Sequence, residues 1–264
     1  MIYFPQLSSG AVVQLPARPQ RHFRTVQTAC EDGTVSRWSD VGYRFAKWDL
    51  HYVDLSNAET QALLMFFESV EGKLGEFVFY DPIANLVCWS EDLSKPVWQS
   101  EAGVSVAVSA DRPPIAESAS TVSNPTAVGR RIIQSVNIPG PYMATVSAWV
   151  KGTGAISVLR ASGGGTESRN VTLHSGWRRV SFSSAIPGGG ESSEFGFSIP
   201  PASIVTISGV QVDAQPAASP YRRTAARGGV YTNARLDDDA LAVTYTADGL
   251  ASINLRVVAR VEYA

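Results

Sequence analysis

Apolar residues recur at every second position through nearly all patterned stretches of this chain, and only one stretch, 57–71, carries a helical repeat. Period two puts alternate side chains on opposite faces of a strand, so the chain reads as mainly β with a single helix. In 37–55, Val41, Tyr43 and Phe45 alternate on odd positions, then Trp48, Leu50 and Tyr52 on even ones. The change of parity predicts a long strand with a bulge or corner near Ala46-Lys47. Upstream, 23–30 leads into Asp32-Gly33, where both positions tolerate positive φ, which predicts a tight hairpin. At the far end Leu241, Val243 and Tyr245 alternate, Asp248-Gly249 turns, and Ile253, Leu255, Val257, Val261 and Tyr263 alternate again.

The helical stretch carries its own punctuation. Ser56 and Glu59 form a capping box, which gives two orphan backbone donors their acceptors. Leu63, Phe66, Phe67 and Val70 follow at helical spacing, and Gly72 supplies a stop. A strand, Glu76-Phe77-Val78-Phe79-Tyr80, then ends at Asp81-Pro82.

After Asn85 the composition shifts to Ser, Gly, Thr and Pro, with short alternating segments and no helical period. Val104, Val106 and Val108 make one strand, and Ala144, Val146, Ala148 and Val150 another. More strands are predicted at 156–159, 171–173, 177–182, 194–197 and 204–212. Eight or so short strands separated by turn residues predict an antiparallel jelly-roll sandwich over 85–227. The flanks, 1–84 and 228–264, hold too few strands to stand apart, and a lone terminal hairpin is marginal. They are expected to form one discontinuous domain, a small β-barrel or sandwich with one helix, into which 85–227 is inserted.

Charge narrows the partners. The 22 basic and 24 acidic residues nearly cancel, so no broad field draws in a phosphate backbone, and nucleic-acid binding is not expected. No apolar run approaches the roughly 20 residues of a membrane helix and no signal peptide is recognised, so membrane insertion is not expected either. Two cysteines, Cys30 and Cys88, are too few for a disulfide framework or a zinc site; they suit a reducing cytoplasm, with their pairing left open.

Catalytic constellations are not found. The chain has no G-x-S-x-G, P-loop or H-E-x-x-H, and His22, His51 and His174 sit in separate segments. Gly163-Gly164-Gly165-Thr166 lacks the lysine and helix of a phosphate cradle, and Asp237-Asp238-Asp239 reads as a solvated turn rather than a cation site. Asn170-Val171-Thr172 is a sequon without a secretory signal. No pair of the insert's carboxylates is singled out for glycoside cleavage. No catalytic residue, metal or cofactor is therefore assigned. Binding suits the insert better: Trp89 and Trp98 are candidate stacking surfaces for sugar, and Arg160, Arg169 and Arg178, beside Arg179, are candidate polar contacts. Trp149 and Trp177 sit inside strand patterns and are expected in the core.

Two resemblances add to this. Ile2-Tyr3-Phe4-Pro5, the run from Arg37-Trp38 to Trp48-Asp49-Leu50, the helix 59–67, and Gly75-Glu76-Phe77-Val78-Phe79-Tyr80-Asp81-Pro82 resemble, in that order, the N-terminal domain of tailed-phage distal tail proteins and their gene-transfer-agent relatives. Asn85-Leu86-Val87-Cys88-Trp89-Ser90-Glu91-Asp92-Leu93, Trp98, Ser175-Gly176-Trp177-Arg178-Arg179-Val180-Ser181-Phe182, 207–213 and 219–224 resemble carbohydrate-binding-module-like jelly rolls of phage tail and fibre proteins. The resemblance implies a structural, non-enzymatic virion protein at the tail tip, assembled in the host cytoplasm. Its implied partners are its own copies in a ring (a hexamer in the family), other tail-tube and tail-tip proteins, and host-surface polysaccharide. The alternative from another class is a glycan-acting enzyme or a stand-alone lectin.

Overall fold

The computed structural model describes residues 1–163, 165–245 and 249–261. Its first elements are β1 (Arg18–Ala29), β2 (Val35–Leu55), α1 (Asn57–Ser69) and β3 (Phe77–Tyr80). The middle holds β4 (Gln99–Ser100), β5 (Ser105–Ser109), β6 (Ala119–Asn124), β7 (Arg130–Val136) and β8 (Ala144–Gly152). It continues through β9 (Ala155–Ser162), β10 (Gly165–Thr172), β11 (Arg178–Ser184), β12 (Ser193–Ile199) and β13 (Ser203–Asp213). β14 (Val230–Leu236), β15 (Val243–Tyr245) and β16 (Ala251–Arg260) follow. The protein is mainly β, and it divides into two compact units: Met1–Leu7, Val13–Phe79 and Tyr231–Ala264 in the first, Ser8–Val12 and Tyr80–Val230 in the second.

In the first unit a six-stranded sheet runs β1-β2-β16-β14-β3, with β15 on β16. β16 pairs antiparallel with β2 along most of its length, Leu255 opposite Leu50 and Val257 opposite Trp48. Even positions of β2 from Ala46 to Tyr52 and odd positions of β16 from Ala251 to Ala259 are buried, so one face of this pair forms the core. The parity change in β2 has a different cause from the one its sequence suggests. The irregularity against β1 lies between Ser39 and Arg44, not at Ala46-Lys47, and Val41 and Tyr43 are exposed. The turn after β1 also differs: only Gly33 takes positive φ, while Asp32 caps it by accepting from the Thr34 amide and hydroxyl. Asp248 and Tyr263 of the terminal hairpin, and Gly164, lie outside the described residues.

α1 begins with the expected reciprocal cap: Ser56 Oγ accepts from the Glu59 amide, and Glu59 Oε2 accepts from the Ser56 amide. It ends at Val70, after which Glu71 and Gly72 both take positive φ. Its inward residues Leu63 and Phe66 are buried, and Phe66 joins a cluster with Phe4, Phe77 and Phe79 at centroid separations of 4.9–5.9 Å. Burial of each such ring contributes about 1.5–3 kcal/mol.

The second unit is an antiparallel jelly-roll sandwich of two five-stranded sheets, β10-β9-β12-β7-β4 and β11-β8-β13-β6-β5. Ile132, Val146, Val150, Val158, Phe195, Phe197, Val205 and Ile207 fill its interior. β6 and β7, which the alternation does not predict, complete it. Its incoming and outgoing segments are laced together: the Asp81 amide donates to Gly229, the Trp89 amide to Ala225, and the Thr224 hydroxyl to Val87. Gly228 is required there, because a Cβ would meet the Leu86 carbonyl at 2.2 Å. Residues 8–12 belong to this unit, Gly10 lying against Met143.

Candidate functional site

β10 and β11 each end their own sheet. Between these two edges lies a groove of about 290 Å³, lined by Arg169, Asn170, Val171 and Thr172 of β10 and by Arg178, Arg179, Val180 and Ser181 of β11. That volume is at the lower end of the roughly 300–1,000 Å³ usual for ligand sites. Arg169 crosses it, its Nη1 donating to the Ser181 carbonyl at 3.0 Å. Arg179 is held by Nη2, which donates to Ser147 Oγ at 3.0 Å and the Ser219 carbonyl at 2.7 Å. Arg178 is exposed and has no hydrogen-bond or ion-pair partner among the described residues. Val171 and Val180 turn toward the core, and the remaining lining is polar.

Among the described residues, no carboxylate lines the groove. The acid coupled to it electrostatically is Asp213, which is buried and interacts with Arg179. Burial pushes the Asp213 carboxyl above its ordinary range, against the opposing pull of donors from Ser219 Oγ at 2.7 Å and Gln211 Nε2 at 3.0 Å. Guanidinium donates five hydrogen bonds, accepts none and stays charged, so this lining can hold acceptors and anions but offers no general acid or base near neutral pH.

Of the five candidate sugar contacts, the structure brings two, Arg169 and Arg178, together in this groove. Arg160 is a correction: it has no exposed surface. Its Nη1 donates to the carbonyls of Tyr142 at 2.7 Å and Ser184 at 2.5 Å, and its Nη2 to those of Pro139 at 2.8 Å and Gly140 at 3.1 Å. Nε and Nη2 also reach Ser193 Oγ, and the guanidinium lies 5.3 Å from the Phe195 ring centroid. Burial lowers its pKa to about 10. Every donor is consumed in clipping two loops together.

Trp98 is also buried, its Nε1 donating to the Trp89 carbonyl at 3.1 Å. Trp89 is half-buried, with Lys95 Nζ 4.7 Å from its ring centroid, so a cation already covers one face. Neither lines the groove. Trp149 and Trp177 depart from the core expectation: both are half-buried, and Trp177 Nε1 donates to Asp111 Oδ1 at 3.1 Å. Both cysteines are free thiols; Cys30 is exposed, and burial pushes the Cys88 thiol up.

No protein-family model and no curated protein matches the chain. Among solved structures, it is similar to the enzymatically active domain of bacteriophage CBA120 tailspike protein 4, at 16% identity and TM-score 0.42, over 55% of this chain and 23% of that one. The CBM22-1 xylan-binding domain from Paenibacillus barcinonensis Xyn10C aligns at 16% identity and TM-score 0.40, over 53% of this chain and 97% of that domain. TmCBM61, solved in complex with β-1,4-galactotriose, aligns at 16% identity and TM-score 0.38, over 48% of this chain and 97% of that one. The chain thus spans under a quarter of the tailspike chain. The sandwich assignment rests on the strand order above.

The first unit carries a second candidate surface. β1 and the first half of β2 form a ribbon on which Phe23, Trp38, Val41 and Tyr43 are 57%, 49%, 70% and 45% exposed. β1 ends its sheet. The ribbon is rich in arginine, with Arg18, Arg21, Arg24, Arg37 and Arg44 against Glu31, Asp32 and Asp40. On α1 and beyond it, by contrast, Met65 and Leu74 are 60% and 66% exposed among Glu68, Glu71 and Glu76. A further groove of about 380 Å³ lies beside Phe45, Arg235 and Arg260, with Arg235 paired to Glu76 at 2.8 Å.

Asn170, Thr172 and Ser181 are not singled out by sequence, and Arg179 is named there only beside Arg178. The available signal was the Trp177-Arg178-Arg179 run at the start of a strand, but only topology brings it beside Arg169.

Proposed function

We propose that the chain is a structural, non-enzymatic subunit of a phage-type tail-tip ring, assembled in the host cytoplasm, whose inserted sandwich contacts host-surface glycan. The observation that carries the assembly reading is the β1–β2 ribbon: a long edge strand beside exposed aromatic and aliphatic side chains is a template for another chain. Its occupant is a second copy of this chain. The basic ribbon of one copy complements Glu68 and Glu71 at the end of α1 on the next, with Met65 and Leu74 supplying apolar contact. A contact between two different surfaces repeats head to tail and closes into a ring when the rotation permits. The order of motifs across 1–82 supports the same reading.

The groove between β10 and β11 supports the glycan contact, since its side chains are suited to holding ligand oxygens. The enzyme alternative needs a pair of carboxyl groups flanking the bond to be cleaved; Glu91 is buried and occupied by Tyr221 and two backbone amides, and Asp111 is tied to Lys151 and Trp177. Light scattering on the eluting full chain tests the reading: a closed multimer that Trp38→Lys reduces to monomers is expected. A monomer that releases reducing ends from polysaccharide would instead establish the enzyme alternative.

A further inference from the structure

We propose that the β10–β11 groove binds an anionic polysaccharide, one bearing uronate carboxylates or phosphate or sulfate substituents, with Arg178 as the direct contact. The inference rests on the glycan-contact reading and adds the charge of the ligand.

Some guanidiniums elsewhere are neutralised by a carboxylate while others, Arg18, Arg37 and Arg260 among them, are not among the described residues, and what is particular to the groove is that three share one lining. Arg24 is paired with Asp40, Arg223 with Glu117, Arg235 with Glu76 and Arg256 with Asp49. In the groove, Arg169 and Arg179 are held instead by carbonyl and hydroxyl oxygens, and no carboxylate ion pair neutralises Arg178 among the described residues. Three like charges thus line one small groove with no acid among its walls, and an anion placed there relieves their repulsion. The planar guanidinium fork matches carboxylate and phosphate oxygens in pairs.

The walls also argue against a neutral ligand held by stacking. Recognition of a neutral sugar by its apolar face needs an aromatic platform, and no aromatic side chain among the described residues lines this groove. The positive charge is local, because the whole chain carries a formal −2. Three guanidiniums are fewer than the roughly six to ten phosphate contacts of a typical duplex binder, so the groove suits a short anionic segment better than a nucleic-acid backbone.

The test is biolayer interferometry of the full chain on immobilised polygalacturonate, dextran sulfate, phosphomannan, dextran and xylan, with duplex DNA as a further arm. Binding to at least one anionic glycan, weaker at high salt and about tenfold weaker in Arg178→Gln, is expected from the loss of one charge-assisted contact. The polygalacturonate, sulfate and phosphate arms then identify which anion is read. Equal binding of dextran or xylan, unchanged in Arg178→Gln, would overturn the anionic inference and leave the glycan reading standing. Equal binding of duplex DNA would reduce the groove to a nonspecific cationic strip and overturn it. Binding to no glycan, together with no retention on bacterial envelopes, would overturn both readings. Arg178 is exposed and has no partner among the described residues, so Arg178→Gln is expected to fold, with an unchanged circular-dichroism melt as the check.

Discussion

Arg160 and the β10–β11 groove use the same side-chain chemistry in opposite ways. Arg160 sits on β9 with every donor turned onto backbone carbonyls and one serine, so its charge is spent inside the sandwich. On the edge strands, Arg169 and Arg179 use part of their capacity to fix their own positions and Arg178 uses none among the described residues. The difference teaches what to look for in a surface arginine: donors left over after local anchoring, rather than the residue type itself.

That contrast breaks most visibly at Arg160. Arg160→Leu removes a donor from four carbonyls, of which Pro139 and Gly140 keep the amides of Tyr142 and Ile186, and at roughly 1–3 kcal/mol for a group left unsatisfied the expected loss is about 2–4 kcal/mol in urea denaturation. A loss under about 1 kcal/mol would mean that the clip is decorative. A smaller, pH-dependent effect is expected at Asp213, whose carboxyl is raised above 3.8 by burial. The folded state holds that proton more tightly than the unfolded state. Asp213 therefore contributes most below its unfolded value, and the contribution is lost as pH rises through the raised folded value. Measured against Asp213→Asn, wild-type stability should fall as pH rises above about 4, the ordinary carboxylate value; a rise would contradict the assignment. The smallest stability effect belongs to Arg178→Gln, within about 0.5 kcal/mol, because nothing in the fold leans on that side chain.

Much of this architecture is legible in the sequence where local chemistry and pattern agree. The capping box places α1 because both halves of it lie within four residues, and β16 declares itself through five inward apolar positions. β6 and β7 escape notice because their inward positions include Ser120, Asn124 and Gln134, buried polar groups that break the hydrophobic alternation. Asn124 donates to three carbonyls and Gln134 exchanges hydrogen bonds with the Cys88 backbone, which explains how the interior accepts them.

The misplaced candidates share one cause. The parity of Ile156 and Val158 already points Arg160 inward, and that of Val146, Ala148 and Val150 points Trp149 outward. Residue type outweighed position in both expectations, and the strand's pleat decides otherwise. The groove is a different matter. It exists because β10 and β11, five residues apart in the chain, end different sheets, and that relation is set by long-range pairing.

Hydrogen–deuterium exchange on the full chain, with and without whichever of polygalacturonate, dextran sulfate and phosphomannan binds most tightly, addresses the groove most directly. The account predicts slowed exchange confined to residues 165–184, strongest at the two edge strands and markedly weaker in Arg178→Gln at the same ligand concentration. Protection centred on Trp89 and Trp98 with β10 and β11 unchanged would contradict it.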